Sequence, residues 1–265
     1  ADGFDDDAYA TWLQLIGSVG GREDVAKLIE AVTDRGRLDH AIALTRSLVM
    51  PGDGESDPST GDIAYAAAAI AAANDREAAA EAMYTVALEV DPAHGWSANN
   101  LGYTLLERGD DLDRAESLLE VAATALPEQA SVLDSIGWLR YLQGRLEAPA
   151  DADPNDPSTL GAISLLERAS EVSGEGDGDG TIHDHLGDAY AAVGRLDEAR
   201  KAWKKAAEVA SIRVATLSAR QNAGGPFLRE VESIRDRARK KIRQLEEGRA
   251  PTIAPRLETS GKTAE

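Results

Sequence analysis

The sequence predicts an all-α protein built as an array of stacked helix pairs, and three observations carry that expectation. Small residues recur at a nearly constant interval: 34 residues separate Ala68 from Gly102, and 35 separate Gly102 from Gly137. Hydrophobic residues make up 43% of the 265-residue chain but aromatic ones only 5%. Burial therefore falls to Ala, Leu, Val and Ile in closely packed elements, not to the β-branched and aromatic mix of a sandwich. Within each interval the apolar residues fall three and four apart, the spacing that returns to one face of a helix.

The elements follow in order. DDAYATWLQLIGSV reads as a helix ending a partial repeat, and REDVAKLIEAVTDRGRLDHAIALTRSLV as a loose pair with Gly36 at its turn and Ala41 at a small position. Together they make residues 1–49 a degenerate N-terminal region. MPGDGESDPSTGD (50–62) reads as a linker, since Pro, Gly, Ser and Asp punctuate rather than continue a helix. The pairs then run over 63–92, 95–127, 130–173 and 180–211. From Gly102 the landmarks are Leu105, Gly109, Ala115, Leu119, Ala122 and Pro127. From Gly187 they are Tyr190, Gly194, Ala199, Trp203 and Ala206, and from Ala68 they are Ala71, Ala80, Tyr84, Ala87 and Pro92.

The third pair is interrupted. APADADPNDPST, within an acidic insertion at 148–160, separates DSIGWLRYLQGRLE from GAISLLERASEV, and SGEGDGDG follows as a second acidic loop. Proline cannot continue a helix, so both read as surface loops at helix turns. Residues 212–225 read as a connection. Pro226, at a first helical position, opens a terminal helix over 226–248, with Phe227, Leu228, Val231, Ile234, Ala238, Ile242 and Leu245 as its apolar stripe. Repeat arrays need such a capping element with a polar outer face. Its cations Arg235, Arg237, Arg239, Lys240, Lys241 and Arg243 alternate with Glu230, Glu232, Asp236, Glu246 and Glu247, the pattern of a solvated helix set beside the acidic body. The remainder, 249–265, reads as a disordered tail.

HLGDAYAAVGRLDEARKAWKKAAEVA, from 185 to 210, resembles the tetratricopeptide repeat, a unit of about 34 residues in which two antiparallel helices meet at small side chains. The phrases NNLGY, DSIGW and HLGD carry the same resemblance and are similar to bacterial members of the family. The resemblance implies a right-handed superhelical solenoid whose first helices line a concave groove.

On that register one helix face presents Tyr65 in the first clear pair, then Trp96, Asn99, Tyr103 and Leu106 in the second. It continues with Asp134, Trp138 and Tyr141 in the third, and Asp184 and Asp188 in the fourth. Five of the chain's four Trp and six Tyr residues fall on this face. Aromatic anchors carry much of the energy of protein interfaces. The sequence thus points to a non-catalytic scaffold or adaptor that holds a protein or peptide, with apolar residues and with basic ones near Asp134, Asp184 and Asp188. An interaction or oligomerisation arm cut from a larger enzyme or from an envelope or secretion component is the alternative, and self-association remains open. Some family members clamp a terminal carboxylate with Lys, Asn and Arg; Asn100 falls at one such position, but Tyr65, Ser131 and Ser135 stand at the basic ones.

Charge narrows the partners further. Asp and Glu number 47 against 28 Lys and Arg, a formal net charge of -19, which repels phosphate backbones and anionic headgroups. No nucleic acid and no membrane insertion are expected. With no cysteine, disulfides and thiolate metal sites are excluded. His183, Asp184 and His185 are adjacent and so point in different directions on a helix, and no Gly-x-Ser-x-Gly motif is present. Asp151, Asp153, Asn155 and Asp156, and Glu175, Asp177 and Asp179, lack the central glycine and closing glutamate of a helix-loop-helix calcium site. Neither catalytic residues, a metal nor a cofactor is expected. The chain opens ADGFDDD, without a basic start or apolar leader, and reads as a processed chain or a fragment of either the cytoplasm or the periplasm.

Overall fold

The computed structural model describes Ala43, Thr45, Arg46, Val49 and residues 60–109, 111–153, 156–174, 178, 180–219 and 225–257. Most of the predicted N-terminal repeats, most of the 50–62 linker and half of the SGEGDGDG loop lie outside the described residues. Ala43, Thr45, Arg46 and Val49 are helical. The described residues are all-α, with no strand among them. The chain divides into two compact units, Ala1–Ala125 and Leu126–Glu265.

In the first unit, α1 (Gly61–Ala73) and α2 (Glu77–Val90) form one pair, and α3 (Gly95–Arg108) and α4 (Leu112–Ala125) the next. Three-residue turns join the helices of each pair, which forces them antiparallel. Gly109 turns the chain after α3 with φ 68°, the left-handed conformation glycine takes without strain. α1 is rich in alanine, and Ala64, Ala67, Ala68 and Ala71 are buried on its inner side. Ile63, Ala64, Val86, Ala87 and Val90 pack together with Val49 from upstream. Thr60 donates to the Val49 carbonyl at 3.2 Å, so the upstream helix, the end of the predicted linker and α1 are tied at one point. The helix begins at Gly61, inside that predicted linker.

His94 caps α3. Its Nδ1 accepts from the Ser97 amide at 3.2 Å, which leaves Nε2 to donate to Asp62 Oδ1 at 3.1 Å. Gly102 lies where α3 crosses α4: a methyl there would meet Leu119 Cγ at 3.0 Å and the Ala115 carbonyl at 3.2 Å.

In the second unit, α5 (Ala130–Leu142) pairs with α6 (Ala162–Ser173) across the insertion. Its base is pinned, because the amides of Ala162 and Ile163 donate to the carbonyls of Arg145 and Leu146 at 2.9 and 3.0 Å. Gly161 makes this possible: any side chain there would come within 2.7 Å of the Glu147 carbonyl oxygen. The insertion thus loops out from a closed neck, and loop length costs little once the ends are held. Asp156 caps a short 3-10 turn, Pro157–Thr159, accepting from the Ser158 amide at 2.9 Å. A hydrogen bond from the Ser158 side chain, and then that amide bond, hold its carboxyl below the ordinary range.

α7 (Thr181–Ala192) and α8 (Leu196–Ser218) make the fourth pair, and α9 (Pro226–Glu246) follows. α8 runs on through 212–218, where the sequence reading placed a connection. The reason is packing: Ala210, Val214 and Leu217 of α8 bury against Val231 and Ile234 of α9, and an amphipathic helix extends as far as a partner covers its face.

The buried face of α9 is Val231, Ile234, Ala238, Lys241 and Gln244. Its last turns bury two polar residues, while Ile242 and Leu245 are only partly covered. Residues 249–257 do not form the disordered tail expected of them. After Gly248 (φ 68°) the chain reverses. The Thr252 amide donates to Gln244 Oε1 at 2.9 Å, and Gln244 Nε2 to Thr252 Oγ1 at 2.8 Å. No described helix is long and apolar enough to cross a membrane.

Candidate functional site

The face singled out in the sequence is distributed over the two units, and the two portions differ in what covers them.

In the first unit, Tyr65 on α1 is half-buried, its ring 5.4 Å from that of His94 and 6.1 Å from that of Tyr84. Burial raises both tyrosine pKa values, and Asn100 opposes it by hydrogen bonding. On α3, one turn apart, Trp96 is 37% exposed, Tyr103 is half-buried, and Asn99 lies between them at 5% exposure. Leu106 is buried. Asn99 Nδ2 donates to Asn100 Oδ1 at 3.3 Å, and Asn100 Nδ2 to the Tyr84 hydroxyl at 3.0 Å. Asn99 Oδ1 is buried with no hydrogen-bond partner. A buried carbonyl oxygen left unmatched is costly.

In the second unit the predicted residues are buried. Trp138 is sandwiched: its ring stacks on Tyr141 at 4.7 Å and on His185 at 3.9 Å. His185 Nδ1 lies 2.9 Å from Asp134 Oδ1. Asp184 and Asp188, one turn apart on α7, share Lys241 of α9, whose Nζ donates to Asp184 Oδ1 at 2.8 Å and to Asp188 Oδ1 at 2.6 Å. Arg237 adds a contact to Asp184 at 3.4 Å. Trp203 of α8, fully buried, donates Nε1 to Asp188 Oδ1 at 3.0 Å. The second oxygen of Asp188 accepts from the Ala254 amide at 2.9 Å.

Burial pushes the Asp188 carboxyl above its ordinary range, with Lys241 pulling the other way and Asp184 reinforcing the rise. Tyr141 donates to the Ala254 carbonyl at 2.5 Å, and burial together with the Asp188 charge raises its pKa. The basic and apolar ligand that the sequence reading requires near Asp184 and Asp188 is thus supplied by α9 and by residues 249–257. Among the residues that the sequence reading missed, Lys241 had a signal: it continues the 231–234–238 spacing of the apolar stripe. Ala254 had only the flanking prolines 251 and 255.

Elsewhere the histidines do not converge. His183 is half-buried beside Ser170, its pKa lowered by burial and by the Lys205 charge. Among the described residues no three His, Asp or Glu side chains gather as metal ligands.

The described helices form antiparallel pairs that meet closely at Gly102, Gly137 and Gly187, followed by a terminal helix. No family model matches the chain. It resembles bacterial tetratricopeptide-repeat proteins: it is 38% identical over 63 residues to the TPR repeat-containing protein PA4667 of Pseudomonas aeruginosa, a match covering 24% of this chain and 10% of that one. Among solved structures, TTC0263, a thermophilic TPR protein of Thermus thermophilus, is similar at TM-score 0.45 and 20% identity, over 81% of this chain and 98% of the other. Pseudomonas aeruginosa pilF is similar at TM-score 0.47 and 17% identity, over 86% and 92%. Helix-pair repeats of this kind generally mediate protein–protein interaction.

Proposed function

We propose that the chain is a non-catalytic scaffold that binds a protein or peptide partner, and that the face of the first unit formed by Tyr65, Trp96, Asn99 and Tyr103 is where the partner is held. The observation that carries this reading is Asn99: a buried side-chain oxygen without a donor, flanked one turn to either side by Trp96 and Tyr103. Aromatic anchors around a polar group that lacks a partner make a site for an extended backbone, the rings supplying contact area and the amide supplying register. The net charge of -19 favours a partner segment that is basic or neutral. An arm of a larger assembly would use the same face.

Trp96→Ala combined with Tyr103→Ala is expected to lower partner capture from a lysate at least tenfold, since hot-spot truncations cost about 2 kcal/mol or more. The far-UV circular dichroism should stay at its parental value, because neither ring is fully buried. A pair that captures the same proteins as the parent, or that loses its helicity, counts against the reading.

A further inference from the structure

The way residues 249–257 are held in the second unit is unlike the way a core element is held. Three bonds fix the segment beyond Thr252, all to its backbone: Ala254 N–H to Asp188, Ala254 C=O from Tyr141, and Leu257 N–H to the Leu142 carbonyl at 2.9 Å. Recognition through both backbone groups of one residue is how a protein holds an extended peptide, whatever its side chains. Pro251 and Pro255 restrict the backbone at either end, and the Ile253 amide bonds back to the Pro251 carbonyl at 3.1 Å in a tight turn.

None of its side chains is fully buried: Ile253, Ala254 and Leu257 are half-covered, and Thr252, Pro255 and Arg256 are exposed. The receiving side is the reverse, since Tyr141, Asp188, Asp184 and Trp203 are all buried and preorganised by the Lys241 pairing. An open hollow of about 450 Å³ lies alongside, walled by Ala191, Leu196 and Leu245 on the helices and by Arg249, Ala250, Pro251 and Ile253 of the segment itself. Arg256 follows two residues after Ala254 as an exposed cation.

We propose that residues 249–257 are a displaceable internal ligand. The face of α5 and α7 is a receptor for an extended peptide, the chain occupies it with its own segment, and a partner enters only by expelling that segment. The partner commits to one chemistry: a proline-flanked protein segment, carrying an apolar residue to cover Ala191, Leu196 and Leu245 and a basic residue behind it. The identity of an outside ligand rests on the scaffold reading above, whereas the internal occupancy does not.

The test uses the whole chain and a dye-labelled synthetic peptide, RAPTIAPRL, followed by fluorescence anisotropy. Ile253→Asp with Ala254→Pro loosens the chain's own segment without touching a helix, and this variant is expected to bind the peptide at least tenfold more tightly than the parent. The same peptide N-methylated at its second alanine, counted from the N-terminus, lacks the N–H that meets Asp188 and is expected to bind at least tenfold more weakly. Equal binding of the peptide by parent and variant, or indifference to N-methylation, overturns the proposal.

Native-state hydrogen exchange on the parent chain gives a readout that no variant can spoil. The Ala254 and Leu257 amides should exchange faster than those in the middle of α5 and α7, because the segment leaves without unfolding the unit. Exchange of all of them together would mark 249–257 as part of the core and sink the idea. Failure here with Trp96 and Tyr103 still needed for capture leaves the scaffold reading standing. Success here with capture unaffected leaves the internal ligand standing.

Discussion

Replacing Lys241 with methionine is expected to destabilise the second unit by about 3–5 kcal/mol, the range for removing one partner of a buried ion pair. The side chains of Lys241, Asp184 and Asp188 are 6%, 4% and 3% exposed, so methionine would fill the volume but leave two carboxylates facing each other out of water. Arg237, half exposed at 51%, reaches only Asp184. Adding Asp188→Asn to Lys241→Met removes one orphaned charge, and the double variant is expected to recover about 1 kcal/mol or more, the size of coupling between residues in one network.

The pH dependence has a definite sign. Burial already holds the Asp188 carboxyl above its ordinary range, and Lys241 is the main influence pulling it down. Without Lys241 the folded-state value rises further. A group whose folded pKa exceeds its unfolded one binds more protons in the native state, so stability grows as the pH falls through the folded value towards the unfolded one. The deficit of Lys241→Met should therefore narrow as the pH falls from about 7 towards the unfolded carboxylate value of about 4. Urea unfolding followed by circular dichroism at several pH values measures this. A variant within about 1 kcal/mol of the parent at neutral pH would show that the cluster is better solvated than its burial implies.

The parts of this fold legible in the sequence are those written in side-chain size and spacing. Gly102, Gly137 and Gly187 mark helix crossings because a side chain there would press on the opposite helix, and the insertion is visible because Pro and Asp stop a helix. Periodicity tells which face of a helix is covered, but not by what. Trp138 illustrates the limit. Its register places it on the partner face, where Trp138→Ala would be a natural probe of binding, yet its ring is stacked between Tyr141 and His185, so that substitution would read stability.

Lys241 was legible only in its register, and its partners were hidden for a related reason. A lysine among arginines and glutamates reads as solvated, and only Asp184 and Asp188, more than 50 residues earlier, make it a buried residue. The segment 249–257 has no periodicity at all, because it is held by its backbone, and backbone groups are the same in every sequence. On the candidate face, Asn99 is recognisable by position, but the absence of a donor for its oxygen emerges only once its neighbours are placed.

The three crossing glycines permit a graded test of how tightly each pair is closed. Changing a helical glycine to alanine gains about 1 kcal/mol of helix propensity, so the sign of the outcome depends on what the new methyl meets. At Gly102 it meets Leu119 Cγ at 3.0 Å and Cδ2 at 3.1 Å, a side chain that can rotate aside. Gly102→Ala is expected to stay within about 1 kcal/mol of the parent. At Gly137 it meets Leu166 Cγ at 2.8 Å, with Leu165 Cβ at 3.3 Å leaving less room to retreat, and the cost should be intermediate.

At Gly187 the methyl would lie 2.8 Å from Trp203 Cε2 and nearer still to Nε1 and Cδ1. An indole is rigid, and this one is wholly buried and bonded to Asp188. Moving it costs overpacking of about 1–3 kcal/mol and a hydrogen bond to a charged group of about 1.5–3 kcal/mol. Less the propensity gain, Gly187→Ala should lose about 1.5–5 kcal/mol. Urea midpoints should therefore fall in the order Gly102→Ala, Gly137→Ala, Gly187→Ala, and an inverted order would mean that the crossings are not what the glycines are for. Trp203→Leu in the Gly187→Ala background supplies the decisive control. If the clash is the cause, the second substitution costs less there than in the parent, because the space the indole vacates is the space the methyl needs.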